Sequence, residues 1–252
     1  MPIKFLTDYP AAFISDQKIL VISDIHIGIE YDLSQSGIRI HKQIEKFKAT
    51  LDKLIEMTKA ETLVILGDVK HKVPGASIQE LRDIPKFLEH LSTKVQVLIT
   101  KGNHDDFLET LIPQDVKLYD SKGFRIGRHG FFHGHAWPDK DLMRCDYLFM
   151  GHIQPAVQFE DKLGYRSRQQ VWLKGELNQD AIKKKYKTSS TGKLHMIVVP
   201  AFNTMSGSLN IASDDDLSGP LLSKALKLDG MRTYLLDGTY LGSLKNIKNR
   251  IQ

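Results

Sequence analysis

The chain has 252 residues, 41% apolar and 26% charged, with 18 glycines and 9 prolines. These proportions exclude disordered, collagen-like and low-complexity classes, and the length can bury a sizeable core. A single cysteine, Cys145, rules out an internal disulfide and fits a reducing compartment. No basic stretch followed by an apolar run opens the chain, so no signal peptide is expected. The longest uncharged segment, 194–213, carries Pro200 and several polar residues and does not read as a membrane span. The expectation is a cytoplasmic protein without membrane contact, forming a single domain over residues 1–252.

Charge is unevenly spread. Residues 161–252 hold 15 Lys and Arg against 8 Asp and Glu, whereas residues 1–160 hold 20 against 22. Lys183, Lys184, Lys185 and Lys187 cluster in the positive part, as a mobile basic segment that suits a polyanion or as a solvated face.

In chain order, 18–23 is a β-branched run that stops at Asp24, as a buried strand does. Ile40, Ile44, Phe47, Leu51 and Leu54 step by four and three, the stripe of a long amphipathic helix. A strand over 62–66 ends at Gly67-Asp68. A second helix covers about 77–91, with Pro85 marking a kink or a restart. A strand over 95–100 ends at Gly102-Asn103. Alternating strands and helices predict a parallel sheet. After Leu111 the texture changes to short strands, at 116–118, 124–126, 131–133, 147–150, 170–173, 194–199 and 209–212. An exposed loop at 214–216 and a closing hairpin turning at Asp237-Gly238 follow. The expected architecture is α/β, with two packed sheets and outer helices.

The strand ends carry polar residues that apolar strands do not need. They are Asp24-Ile25-His26, Gly67-Asp68, Gly102-Asn103-His104-Asp105, His133-Gly134-His135 and Gly151-His152. Ligands of open α/β sheets bind beyond the carboxyl ends of parallel strands, so these segments should converge. Carboxylates, imidazoles and an amide without a thiolate suit Mn, Fe or Zn in an open hydrolytic site. In an extended segment Asp24 and His26 would point the same way and grip one ion.

The ordered set Asp-x-His, Gly-Asp, Gly-Asn-His-Asp, His-Gly, Gly-His resembles the calcineurin-like metallophosphoesterase superfamily. Within it the chain is most similar to small phosphoesterases related to the SbcD-type repair nucleases and the ligase-associated PdeM group. Further similarity lies in 23–30, 67–71, 151–155, 171–173 and 200–203. The resemblance implies a four-layer αββα sandwich of two mixed sheets flanked by helices. It also implies a site of two divalent cations, manganese first and iron or zinc as alternatives. By position, Asp24 and His26 would hold the first metal and Asp68 would bridge. Asn103, His133 and His152 would complete the second. His104 would be the general acid, with Asp105 orienting or tuning it, and His71 and His135 would lie near the substrate. The family's last motif usually ends Gly-His-x-His, and the final position here is Gln154. A neutral amide oxygen is a weaker partner for Zn or Fe, so the first site would be loose or tuned toward Mn.

The expected function is metal-dependent phosphodiester hydrolysis, with DNA or RNA as candidate substrate. A small-molecule phosphohydrolase is one alternative. Another is a catalytically weak nucleic-acid-binding protein. Trp137 has two readings, the floor of a base pocket or core packing. Nothing in the residues fixes the oligomeric state.

Overall fold

Short apolar runs build two sheets that face each other. The computed structural model describes residues 2–211, 219–226 and 230–251, and the loop expected at 214–216 lies outside them. The first sheet contains, in spatial order, β1 (Ile3–Phe5), β2 (Ala12–Ile14), β3 (Ile19–Ile22), β4 (Thr62–Ile65), β5 (Gln96–Thr100) and β6 (Lys117–Tyr119). β3 to β6 run parallel, as the alternating pattern predicts. β1 and β2 add an antiparallel edge that three-residue strands are too short to announce.

On the outer face of this sheet lie α2 (Ile44–Thr58) and α3 (Ile78–Ser92), preceded by the short α1 (Ile29–Gln35). α2 begins four residues later than the stripe suggests, because Ile40 stays exposed in the approach. It buries Ile44, Phe47, Leu51 and Leu54 against Ile84, Phe87, Leu88 and Leu91 of α3 and the sheet. α3 runs through Pro85 as one helix, so of the kink and the restart expected there the restart does not occur. Truncating fully buried Phe87 to Ala would cost about 3–5 kcal/mol.

The second sheet uses β7 (Phe124–Ile126), β8 (His129–Phe132), β9 (Tyr147–Met150), β10 (Pro155–Glu160), β11 (Arg166–Glu176), β12 (His195–Val198) and β13 (Leu209–Asn210). Its order is β13-β10-β11-β12-β9-β8-β7, and the closing hairpin β14 (Arg232–Leu235) and β15 (Tyr240–Ser243) joins along β11. β8, β9 and β12 are parallel. β10 and the start of β11 escape the sequence pattern because Gln158, Glu160, Arg166 and Arg168 make one face wholly polar, while Ser167 and Gln169 interrupt the apolar face of Val157 and Phe159.

Val64 and Leu98 of the first sheet share a core with Phe131, Phe149, Trp172 and Ile197 of the second. Beyond the second sheet lie α4 (Gln179–Tyr186), α5 (Pro220–Ala225) and α6 (Leu244–Ile251), which bury Ile182, Leu221 and Leu244. The result is helix, sheet, sheet, helix, with one common edge formed by the carboxyl ends of β3, β4, β5, β8 and β9.

Candidate metal centre

The turns after β3 and β4 run side by side. Asp24 N donates to Gly67 O at 3.2 Å, and His26 N donates to Asp68 O at 2.9 Å. Asp24, His26, Asp68, His152 and Gln154 all have left-handed φ, between 45° and 72°. Such backbone is costly for non-glycine residues and concentrates at functional sites, where the surrounding fold holds it. The extended geometry expected for Asp24-x-His26 is therefore corrected. Two left-handed residues, not strand alternation, bring His26 Nε2 to 4.0 Å from Asp24 Oδ1. Gly67, with φ 84°, is required, since a Cβ there would sit 2.6 Å from His133 Nδ1.

Three three-residue groups could each hold a cation, Asp24/His26/Asp68, Asp68/His133/His152 and His26/His71/His104, and Asp68 belongs to the first two. Asp68 Oδ2 lies 3.6 Å from His26 Nε2 and 3.4 Å from His133 Nε2. Asn103 Oδ1 is 3.1 Å from the same His133 nitrogen. Backbone donors also converge, His152 N on Asp24 Oδ2 at 3.1 Å and His104 N on Asp68 Oδ1 at 2.9 Å.

Burial shapes the electrostatics. It pushes the Asp24 carboxyl up to about 6, aided by the charge of Asp68 and opposed by His133. Burial would also raise Asp68, but the hydrogen bond and charge of His133, with the charge of His26, hold it below the usual carboxylate range. Burial lowers His26 to about 3 and His152 to about 4, with neighbouring imidazoles reinforcing the shift, and it lowers His71 and His135 as well. His133 alone is raised, to about 9, because Asp68 outweighs its desolvation. Neutral imidazoles around two carboxylates are the donor set of a divalent first-row cation, and the His133 proton is one such a cation would displace. His135 adds a buried Nδ1 with no hydrogen-bond partner among the described residues, 5.3 Å ring to ring from His133. The residues present fit a divalent metal.

Gln154 reaches the first group. Its amide nitrogen donates to Ser206 Oγ at 2.8 Å, Gly207 O at 3.1 Å and Ser206 O at 3.2 Å, leaving Oε1 2.9 Å from His26 Nε2. Three acceptors thus fix which end of the amide faces the ligands. Ser206 is one residue the sequence reading missed, and only its nearness to Asn203 could have hinted at it. Asn203 itself is buried and donates from Nδ2 to Ile25 O at 2.9 Å, bracing the Asp24 turn.

His104 places Nδ1 2.5 Å from His71 O, which leaves Nε2 to face outward. Asp105 does not hold that ring. Its carboxylate accepts from Val69 N at 2.9 Å, Lys70 N at 3.2 Å and Gly102 N at 2.8 Å, so it ties two turns together and positions His104 through the backbone. Burial and the charge of Asp68 raise it to about 6. His71 lies 3.4 Å from His26, nitrogen to nitrogen, and 3.5 Å from Asp32 Oδ2. Its backbone is held by fully buried Glu80, whose Oε1 accepts from His71 N at 2.8 Å and Lys72 N at 2.7 Å. Glu80 also closes a capping box with Ser77 at the start of α3, the one signal of it in the sequence.

Elsewhere the lysine cluster forms the last turn and C-cap of α4, so the expected mobile segment is a helix. Trp137 packs on that helix, edge-on to Tyr186 at 6.0 Å and under the Lys185 ammonium at 4.8 Å, which favours the packing reading. His129 opens β8 with Nδ1 3.0 Å from Gln17 Oε1, apart from the cluster.

Residues 17–215 match the family described as calcineurin-like phosphoesterase. The chain belongs to that family. It is a metallophosphoesterase, a hydrolase of phosphate esters that depends on divalent metal. The fold is similar to the nuclease MPE of Pseudomonas putida, over 95% of this chain and 94% of that one, with a TM-score of 0.57 and 17% identity. Yfce, a phosphoesterase from E. coli, matches over 89% of this chain and 96% of that one, with a TM-score of 0.43 and 16% identity. Among the described residues no helix is long and apolar enough to cross a membrane.

Proposed function

We propose that this metallophosphoesterase is a single-domain, cytoplasmic phosphodiesterase that cuts nucleic-acid strands at a dinuclear site, with manganese its preferred metal. The observation that carries the two-cation reading is the carboxylate of Asp68 shared by two ligand groups. Asp24, His26, Asp68 and Gln154 would hold the first cation, and Asp68, Asn103, His133 and His152 the second. When bound, the pair supplies Lewis-acid charge for a phosphate and lowers the pKa of a water. The chain's own residues do the rest. His104, its Nδ1 fixed on the His71 carbonyl, presents Nε2 to the leaving oxygen and gives it a proton. His71 and His135 face the non-bridging oxygens, where negative charge builds up. Cys145 takes no part, because it is buried and its thiol is pushed up to about 11.

Support for nucleic acid comes from the exposed lysines of α4 beside Trp137, and from the name of the Pseudomonas putida relative. A small-molecule phosphohydrolase is the second reading, favoured by the burial of Asp24, His26, Asp68 and His133. The test is metal analysis of the purified protein joined to a Mn screen over DNA, RNA, phosphodiesters and phosphomonoesters. Replacing Lys183, Lys184, Lys185 and Lys187 with Gln should weaken nucleic-acid binding. It should also flatten the salt slope by about 0.9 log units per lost phosphate contact on duplex, or about 0.7 on single strands. Hydrolysis of a small chromogenic diester should be unchanged. An unaltered salt slope would reduce the cluster to a solvated face.

A further inference from the structure

The apolar layer between the two sheets does not close at the edge opposite the metal ligands. There it opens into a cleft of about 600 Å³. That volume lies in the range of small-molecule sites. The strands explain why it is there. Phe149, Ile197 and Trp172 fill the inter-sheet core. Two residues along each strand, on the same face, stand Tyr147, His195 and Lys174, all of which line the cleft. From Tyr147 to His152 is five residues along and beyond β9, and at about 3.3 Å per residue the cleft lies roughly 15 Å from the metal ligands.

The charge in this cleft is unusual. Lys174 on β11 and Arg232 on β14 are direct cross-strand partners. Like charges placed opposite each other destabilise an antiparallel pair. No carboxylate among the described residues forms an ion pair with either of them. The Lys174 ammonium instead lies 3.4 Å from the ring centroid of Phe5 and 4.4 Å from that of Tyr234. The one carboxylate on the lining, Glu176, turns to His195 Nδ1 at 3.3 Å. Burial, with the charge of Arg232, lowers Lys174 to about 8. Lys174 thus sits on two aromatic rings beside Arg232, above an apolar floor that includes Ile3 and Ile197. The two ring contacts of Lys174 offset part of this repulsion, no carboxylate among the described residues offsets the rest, and an anion would relieve it.

We propose that this inter-sheet cleft is a second ligand site for a small, flat organic anion of nucleotide size, its charge on Lys174 and Arg232 and its ring against the apolar floor of Ile3 and Ile197. This site is separate from the hydrolytic one and does not depend on the reading of its substrate. Neither cation belongs to the catalytic machinery, so the two sites can be broken independently.

The probe is AMP, titrated calorimetrically into the Asp68→Asn variant, which lacks the carboxylate shared by the two ligand groups of the hydrolytic site. Binding should persist there, and adenosine, lacking the charge, should bind about tenfold or more weakly. Arg232→Gln, an exposed change, should weaken AMP about tenfold, and Lys174→Gln by at least as much, with hydrolysis of a chromogenic diester unchanged. Binding should also fade as pH rises past about 8 and Lys174 loses its charge, Arg232 remaining charged. If Asp68→Asn abolishes AMP binding, or both cleft variants bind AMP as the parent does, the proposal is overturned.

Discussion

The two ligand groups that share Asp68 are built from different material. The second group also uses left-handed residues, Asp68 and His152, but adds His133 directly after β8, its Nδ1 2.6 Å from the Leu66 carbonyl. The first group rests on consecutive left-handed turns and on Gln154, a neutral amide that is itself held by three acceptors. An imidazole anchored through its far nitrogen is a stronger and better oriented ligand than an amide oxygen for a first-row cation. The difference teaches that the two positions need not fill together. The second should bind tightly and stay occupied, while the first should exchange with the medium and set how activity depends on metal concentration.

The largest effect should come from removing what the groups share. Asp68→Asn takes away the carboxylate common to both, so metal content and turnover should fall together to the level of the metal-free protein, read by elemental analysis and a chromogenic diester. His104→Ala sharpens the contrast from the other side. It leaves every proposed ligand in place, so metal content should hold while turnover drops by about 10²–10⁴-fold. Equal metal loss in both variants would erase the distinction between ligand and proton donor.

Much of this arrangement was legible in the sequence. The donors at 24, 26, 68, 103, 133 and 152 announced themselves because apolar strands ending in charged residues have no packing reason to do so. The parallel core of the first sheet followed from its strand and helix alternation. What the sequence hid was tertiary. Glu80 looks like a surface helix residue, yet its carboxylate is fully buried on the His71 and Lys72 amides. Asp105 stands beside His104 in the chain, yet it serves three backbone amides of other turns. The β10–β11 hairpin offered only Val157 and Phe159 as alternating apolar positions, facing Gln169 and Ser167 on the partner strand. Glu80 and Asp105 act through contacts between separate turns, and periodicity carries no information about those.

Gln154→His tests the weaker position directly. It restores an imidazole there, so the affinity of the looser cation should rise by about tenfold, the scale of a ligand or supporting-residue change. Turnover at low manganese should rise with it, and the tighter site should not move. Manganese titration followed by electron paramagnetic resonance separates the two steps. An unchanged or weaker looser step would mean that the amide is already the preferred ligand or lies outside the first position.

The smallest effect concerns the support behind that amide. Ser206 Oγ is one of three acceptors for the Gln154 nitrogen, and it also donates to Asn203 O at 2.8 Å. Ser206→Ala removes one partner and leaves the carbonyls of Ser206 and Gly207, so the amide keeps its orientation but loses part of its restraint. A lost hydrogen bond of this kind costs about 0.5–1.5 kcal/mol. At about 1.4 kcal/mol per decade, that is roughly a two- to tenfold loss of affinity at the looser cation step. The direction opposes that of Gln154→His, and in the double variant the serine change should have less effect, because the amide it supports is gone. If Ser206→Ala weakens the tighter step as much as the looser one, the support is general to the turn and the two positions are not built separately.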